Sequence, residues 1–297
     1  MVRKKTIAVL ALLIFSFSWT FARDAKRVKI AVWGDSRENR DNACENINSI
    51  LLNDITDWDF VIHTGDFTSR GSDQDWQRSL GYQGMRQIFV KDKFLMCTSN
   101  HDNRRDTYDK YTKGVLPTNN LNQTTHFYSY KKGNVRVLAL DAYFTSADTM
   151  NMWLQQELKD VKKDEWLIGV WHPPCYEDVS YKRGYLDNCA PWLNMLYQAG
   201  GDFILHGHAH IYMRSKPLLP DGTVDKEKGM VHIINGVGGA SFKEPQTWSE
   251  KTAFTPRSGS FPSITFITIE GNKATVQTID ARPENKLRVI DEWEWTR

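Results

Sequence analysis

An α/β domain made of two mixed β-sheets packed face to face as a sandwich, with helices outside, is the fold class the sequence predicts. Three observations predict it. Strand-like and helix-like segments alternate over the first two-thirds of the chain, the last third is mostly strand, and the early strands are short apolar runs that each stop at a polar residue. With 297 residues, 40% hydrophobic and 25% charged, the chain is long enough to bury a sizeable core. No internal repeat, low-complexity tract or long linker divides it, so residues 23–297 are read as a single domain.

The first element is a leader rather than part of the fold. Arg3, Lys4 and Lys5 precede an apolar run from Ile7 to Phe17, and the small residues Thr20 and Ala22 suit a signal peptidase, so residues 1–22 read as a signal peptide. A spanning helix needs about 20 predominantly apolar residues, and this run is broken by Ser16, Ser18 and Thr20. The expectation is a secreted or periplasmic protein with no stable membrane span after cleavage. Removing the leader leaves 35 basic residues against 36 acidic ones, a net charge of −1 in place of +2, which argues against bulk nucleic-acid binding.

The remaining elements follow in order. "VKIAVWGD" is a strand ending at Asp35, and "ACENINSILLNDI" places Cys44, Ile47, Ile50 and Leu51 at helical spacing. "FVIHTGD" and "FLMCTSNHD" are further strands, ending at Asp66 and at Asn100, His101 and Asp102. "THFYSYKKGNVRVLALDAY" reads as a hairpin turning at Lys132, Gly133 and Asn134. "SADTMNMWLQQELKDV" carries capping candidates, then Met150, Trp153, Leu154, Leu158 and Val161 on one helical face. The strand "EWLIGVWH" ends at His172, Pro191 opens a helix that Gly200 and Gly201 close, and "DFILHGHAH" is a strand running into His206, His208 and His210. "GMVHIINGVGG" is a strand, and "SITFITIE" with "KATVQTIDA" a hairpin turning at Gly271 and Asn272.

Four cysteines lie outside the leader, an even number in a compartment where disulfides persist. Cys175 and Cys189 are the best candidate pair because they close a short loop, whereas Cys44 and Cys97 sit in apolar patterns that also suit buried free thiols. "NQT" at Asn122 is a glycosylation acceptor if the source is eukaryotic.

In open α/β sheets, residues at the carboxyl ends of strands converge on one crevice. Asp35, Asp66, Asn100, His172, His208 and His210 would meet there, and oxygen and imidazole donors without a thiolate suit divalent ions such as zinc, manganese or iron. A carboxylate has two anionic oxygens, so Asp66 in its tight "TGD" turn is the natural bridge between two ions. His208 and His210 both point inward only if the backbone leaves the strand between them. Two divalent ions against two aspartates leave a positive site that fits phosphate.

Taken in order, "GDSR", "GD", "NHD", "WHPP" and "GHAH" resemble the five blocks of the calcineurin-like metallophosphoesterase family, a superfamily that includes purple acid phosphatases and phosphodiesterases. The blocks run from Asp35 to His210, and "NGVGG" resembles a loop that commonly follows. The resemblance implies the calcineurin-like phosphoesterase fold, a dinuclear centre of Mn, Zn or Fe, and hydrolysis of a small phosphorylated substrate by a metal-bridging hydroxide. Position by position, it makes Asp35, Asp66 and His210 ligands of one metal, and Asp66, Asn100, His172 and His208 ligands of the other. It makes His101 the leaving-group acid, oriented by Asp102.

The first block departs from the family. Many members carry a histidine where this chain has Arg37, and a guanidinium offers no lone pair to a metal. Purple acid phosphatases instead carry a tyrosine where this chain has Ser69. Arg37 either clamps a phosphate oxygen or pairs with a nearby acid. The favoured reading is a phosphoesterase with a weak preference for monoesters. A cyclic-nucleotide or phospholipid phosphodiesterase and a catalytically idle metal-binding module are the alternatives. Trp33, His63, His126, Trp171, His206 and His232 are read as core residues, and Asp141 as a turn carboxylate or a hydrogen-bond partner of a ligand histidine.

Overall fold

The computed structural model describes residues 27–176, 186–245, 249–256 and 259–297, so the signal-peptide reading of residues 1–22 lies outside the described residues. The strands are β1 (Val28–Trp33), β2 (Phe60–His63), β3 (Phe94–Met96), β4 (Tyr128–Lys132), β5 (Val135–Ala139), β6 (Trp166–Val170), β7 (Phe203–His206), β8 (Tyr212–Ser215), β9 (Val231–Asn235), β10 (Thr252–Phe254), β11 (Ser263–Glu270), β12 (Lys273–Asp280) and β13 (Val289–Thr296). They form two mixed sheets, a six-stranded one ordered β13-β12-β11-β1-β2-β3 and a seven-stranded one ordered β10-β8-β9-β7-β6-β5-β4. In the first, β1, β2 and β3 are parallel; in the second, β5, β6, β7 and β9 are.

The side-chain period of two sorts residues between layers. On β6, Trp166, Ile168 and Val170 join the core between the sheets, while Leu167 faces the second cluster outside. Strands β5 and β7 alternate in the same way: Val137 and Leu205 point inward, Leu138 and Ile204 outward. Helices α1 (Ala43–Ser49), α2 (Asp73–Gly81) and α3 (Met85–Ile88) lie against the first sheet. They are followed by α4 (Arg105–Thr112), by α5 (Ala147–Leu158), which brings Met150, Trp153 and Leu154 onto the outer face of the second sheet, and by α6 (Leu186–Gln198), which adds Trp192, Leu193 and Leu196 there.

The expected sandwich is therefore the observed fold, with local differences. Pro191 sits inside helix α6 (Leu186–Gln198) rather than opening it. Val161 lies beyond the end of α5 but still packs against the same cluster. Among the described residues no helix is long and apolar enough to cross a membrane.

Side chains clasp the two sheets at both edges. Tyr128 on β4 uses its hydroxyl twice, accepting from the Met96 amide at 2.9 Å and donating to the Met96 carbonyl at 2.8 Å on β3. At the other edge Arg214 on β8 donates to both oxygens of Asp291 on β13 at 2.7 and 2.9 Å, with Tyr212 donating at 2.8 Å. Both charged residues are 7% exposed, so each depends on the other for its solvation. Asp291→Ala strands the buried guanidinium and is expected to lower the unfolding free energy by about 3 kcal/mol, measured by denaturant unfolding. A loss under about 0.5 kcal/mol, the scale of an exposed pair, would show that this clasp does not hold the sheets together.

Candidate metal centre

Parallel strands leave their carboxyl ends on one side, and the loops that emerge there carry every predicted ligand. Asp35 follows β1, Asp66 follows β2 and Asn100 follows β3; His172 follows β6, while His208 and His210 follow β7. The loops are laced to one another by their backbones: Asp35 N–H donates to Gly65 O at 2.9 Å, Gly207 N–H to His172 O at 3.1 Å, and Ala240 N–H to Asp35 O at 2.7 Å. Strand β7 ends at His206, so the backbone does leave the strand before the two histidines.

Four of the six residues sit in the left-handed region, with φ of 57° at Asp35, 54° at Asp66, 67° at His208 and 53° at His210. Asp and His tolerate that region better than most side chains, but such positions persist only where surrounding structure imposes them, at a cost of about 1 kcal/mol or more each. Close packing contributes to that imposition. A methyl group at Gly207 would lie 2.3 Å from Asp35 Oδ2, and one at Gly236, in the "NGVGG" loop, 2.8 Å from the same oxygen.

The histidines are locked by carbonyls. His172 Nδ1 lies 2.7 Å from Thr64 O, His210 Nδ1 2.7 Å from Ser241 O, and His101 Nδ1 2.7 Å from Ser69 O. A carbonyl only accepts, so each Nδ1 carries a proton, and whenever the ring is neutral its lone pair is at Nε2. Those lone pairs face carboxylates. His172 Nε2 is buried, lacks a hydrogen bond of good geometry and lies 3.2 Å from Asp66 Oδ1; His210 Nε2 lies 3.4 Å from Asp35 Oδ1.

Lone pairs aimed at anionic oxygens call for a cation or a proton between them, and the donor set fits metal ions. One ligand atom each from Asp35, Asp66 and His210 lies within 4.8 Å of the others. On the other side of Asp66 are His172 and His208, with ring centroids 5.1 Å apart, and His208 Nδ1 is 3.1 Å from Asn100 Oδ1. Without metal, burial opposes the ionisation of Asp66, but the charges of His172, His101 and Arg37 prevail and hold its carboxyl well below the usual range. Burial likewise opposes protonation of His172, yet Asp66 and Asp35 raise it to about 9, while burial and that neighbouring charge push His208 down to about 3.

One expectation changes. Asp102 does not orient His101. Its carboxylate, buried and pushed up by burial and by Asp66, accepts from the Phe67 and Thr68 amides and from the hydroxyls of Thr68 and Ser99 at 2.7–3.0 Å. It anchors the turn after Asp66, and the Ser69 carbonyl takes the role given to it. Arg37 pairs with acids: its Nε is 3.2 Å from Asp66 Oδ2, its Nη1 2.9 Å from Glu38, and its Nη2 3.3 Å from His210 Nε2. The carbonyls of Thr64, Ser69 and Ser241 carry no side-chain signal, so sequence reasoning passes over them.

Other residues fall into structural roles. His206 Nδ1 lies against the Trp171 carbonyl and Nε2 3.3 Å from His232, all buried. His63 is buried beside Ser36 Oγ at 3.0 Å, and Asp141 accepts from the Tyr143 and Phe144 amides as a turn carboxylate. Cys175 and Cys189 are in contact as free thiols rather than a disulfide, and Cys44 and Cys97 are buried free thiols. Ser69 gives its hydroxyl to the Arg37 carbonyl at 3.0 Å.

The chain is 28% identical over 168 residues to purple acid phosphatase 15 of Arabidopsis thaliana, covering 52% of this chain and 31% of that protein. It is 24% identical over 236 residues to purple acid phosphatase 18 of the same plant, covering 73% and 51%. The chain thus spans a third to a half of these relatives. Among solved structures, the purple acid phosphatase PPD1 of yellow lupin superposes with a TM-score of 0.74 at 16% identity, over 92% of this chain and 54% of that one. GAP50 of Plasmodium superposes with a TM-score of 0.69 at 15% identity, over 91% and 89%, and both likenesses bear on the fold. With the profile of the calcineurin-like phosphoesterase family matching residues 28–212, more than half its length, the chain belongs to that family.

Proposed function

We propose that the protein is a metal-dependent phosphoesterase that holds two divalent or trivalent ions and hydrolyses small phosphate esters, monoesters in preference to diesters. The observation that carries this reading is the position of Asp66, whose carboxylate has an oxygen within 4.8 Å of the Asp35 and His210 ligand atoms and lies 3.2 Å from the buried Nε2 of His172. Asp35, Asp66 and His210 would hold one ion, and Asp66, Asn100, His172 and His208 the other. When bound, the ions supply Lewis acidity and a water of lowered pKa.

The chain's own groups do the rest. His101 is 34% exposed, with Nδ1 committed to Ser69 O and Nε2 3.9 Å from Asp66 Oδ2, so Nε2 is the atom that holds a proton for the leaving oxygen. Arg37 lines the same cavity as His101, and exchanging its Glu38 and His210 contacts would let its planar fork take the free oxygens of a monoester. The reading of residues 1–22 as a signal peptide, and with it a secreted or periplasmic location, belongs to this proposal and rests on the basic start and the apolar run.

The test is turnover of 4-nitrophenyl phosphate and bis(4-nitrophenyl) phosphate after loading with manganese, zinc or iron. Monoester turnover that Asn100→Ala abolishes together with metal content is the expected result. Diester turnover alone would reverse the substrate preference, and metal uptake without turnover of either would leave an idle binding module. His101→Ala is expected to lower kcat on an alkyl phosphate ~100-fold and much less on the nitrophenyl ester, whose leaving group needs no acid; equal losses on both would remove His101 from that role.

Two binding predictions follow from the geometry. His172, raised to about 9 without metal, holds a proton at pH 7 that a ligand cannot keep. Metal binding at pH 7 is therefore expected to release a proton, and affinity to rise with pH up to about 9, measurable by calorimetry in buffers of different ionisation enthalpy. Gly207→Ala displaces the Asp35 carboxylate and is expected to weaken metal binding ~10- to 100-fold while the fold persists; an unchanged affinity would mean that the loop yields instead.

A further inference from the structure

Beside His101 and Arg37 lies an open cavity of about 630 Å3 whose lining includes four arginines, Arg37, Arg70, Arg78 and Arg104. Two of these are balanced by acids: Arg37 meets Asp66 and Glu38, and Arg78 lies 3.3 Å from Asp75. Arg70 and Arg104 are exposed, and among the described residues neither has an acid within ion-pair distance.

The fold nevertheless ties the loops that carry them together. Gly71, with φ 66°, lets its backbone run so close to the next loop that an added Cβ would lie 3.1 Å from the Arg104 nitrogen. Its N–H donates to Thr68 Oγ1 at 3.0 Å, and its carbonyl accepts from the hydroxyl of Thr107 on α4. Two uncompensated cations are thereby carried on adjoining backbone segments, on the wall of the cavity that also holds His101. Two cations on one wall add to the positive potential of the cavity, and guanidinium forks match the oxygens of a phosphate.

We propose that Arg70 and Arg104 form a subsite for a second anionic group of the substrate, so that preferred substrates carry a phosphate or carboxylate beyond the ester that is cleaved. This deepens the phosphoesterase reading and rests on it for the cleaved group, whereas anion binding at the two arginines can be measured without turnover.

The experiment compares the metal-loaded protein with Arg70→Gln, Arg104→Gln and the double variant on phenyl phosphate, 4-carboxyphenyl phosphate and inorganic tripolyphosphate. Wild-type kcat/KM is expected to favour the polyanions over phenyl phosphate by ~10-fold or more, and the double variant to erase that preference through KM while leaving phenyl phosphate unchanged. A preference for both polyanions identifies a general anion subsite, and one confined to tripolyphosphate identifies a phosphate subsite; either supports the assignment. Equal losses on all three substrates, or no change in any KM, overturn it.

A second arm titrates inorganic tripolyphosphate into metal-free protein by calorimetry, with thermal melts confirming that the variants fold. Wild-type binding that the double variant weakens ~10-fold supports the subsite even if no ester is hydrolysed, in which case the phosphoesterase reading alone falls. Absence of wild-type binding, or binding indifferent to both substitutions, overturns the subsite.

Discussion

The site depends on one carboxylate held where it would not rest unaided. Asp66 is 1% exposed, in a left-handed backbone conformation, and in reach of His172, His101 and Arg37. A buried anion is costly unless positive charge surrounds it, so these neighbours stabilise the residue that orders them. Asp102 serves the same end from beneath: by accepting the Phe67 and Thr68 amides, it fixes the turn that aims Asp66 into the pocket.

Backbone carbonyls supply the second layer of control. The backbone carbonyls of Thr64, Ser69 and Ser241 each accept a hydrogen bond from the Nδ1–H of a histidine, which settles the tautomer of the neutral ring. These carbonyls sit in loops whose positions are set by the parallel strands and by the laces between β1, β2, β6 and β7. The sandwich and the chemistry are therefore linked through hydrogen bonds rather than through the core: the apolar layers set the spacing of the strands, and the loops convert that spacing into ligand geometry.

Arg37 gives this family member its particular character. Its guanidinium lies against Asp66 and His210, two members of the candidate metal-binding group, and it opens onto a cavity with three more arginines. Fixed positive charge thus adjoins the Asp35, Asp66 and His210 group that could hold a metal ion.

Much of this was legible in the sequence. Short apolar runs ending in Asp35, Asp66, Asn100, His172 and the 206–210 cluster gave both the parallel strands and the ligand candidates, because strand ends in such sheets share one crevice. Strand β13 is harder to read although "DEWEW" alternates with period two, since its buried partner for Arg214 is a carboxylate that reads as surface in isolation. By itself the sequence determined the fold class, the family and the residue types at the centre, all of which follow from local pattern and chemical identity. Only the tertiary structure decided that Asp102 anchors a turn, that Ser69 O orients His101 and that Arg37 faces Asp66. Those are matters of direction between segments some 30 residues apart, and hydrogen-bond direction has no local signature in the chain.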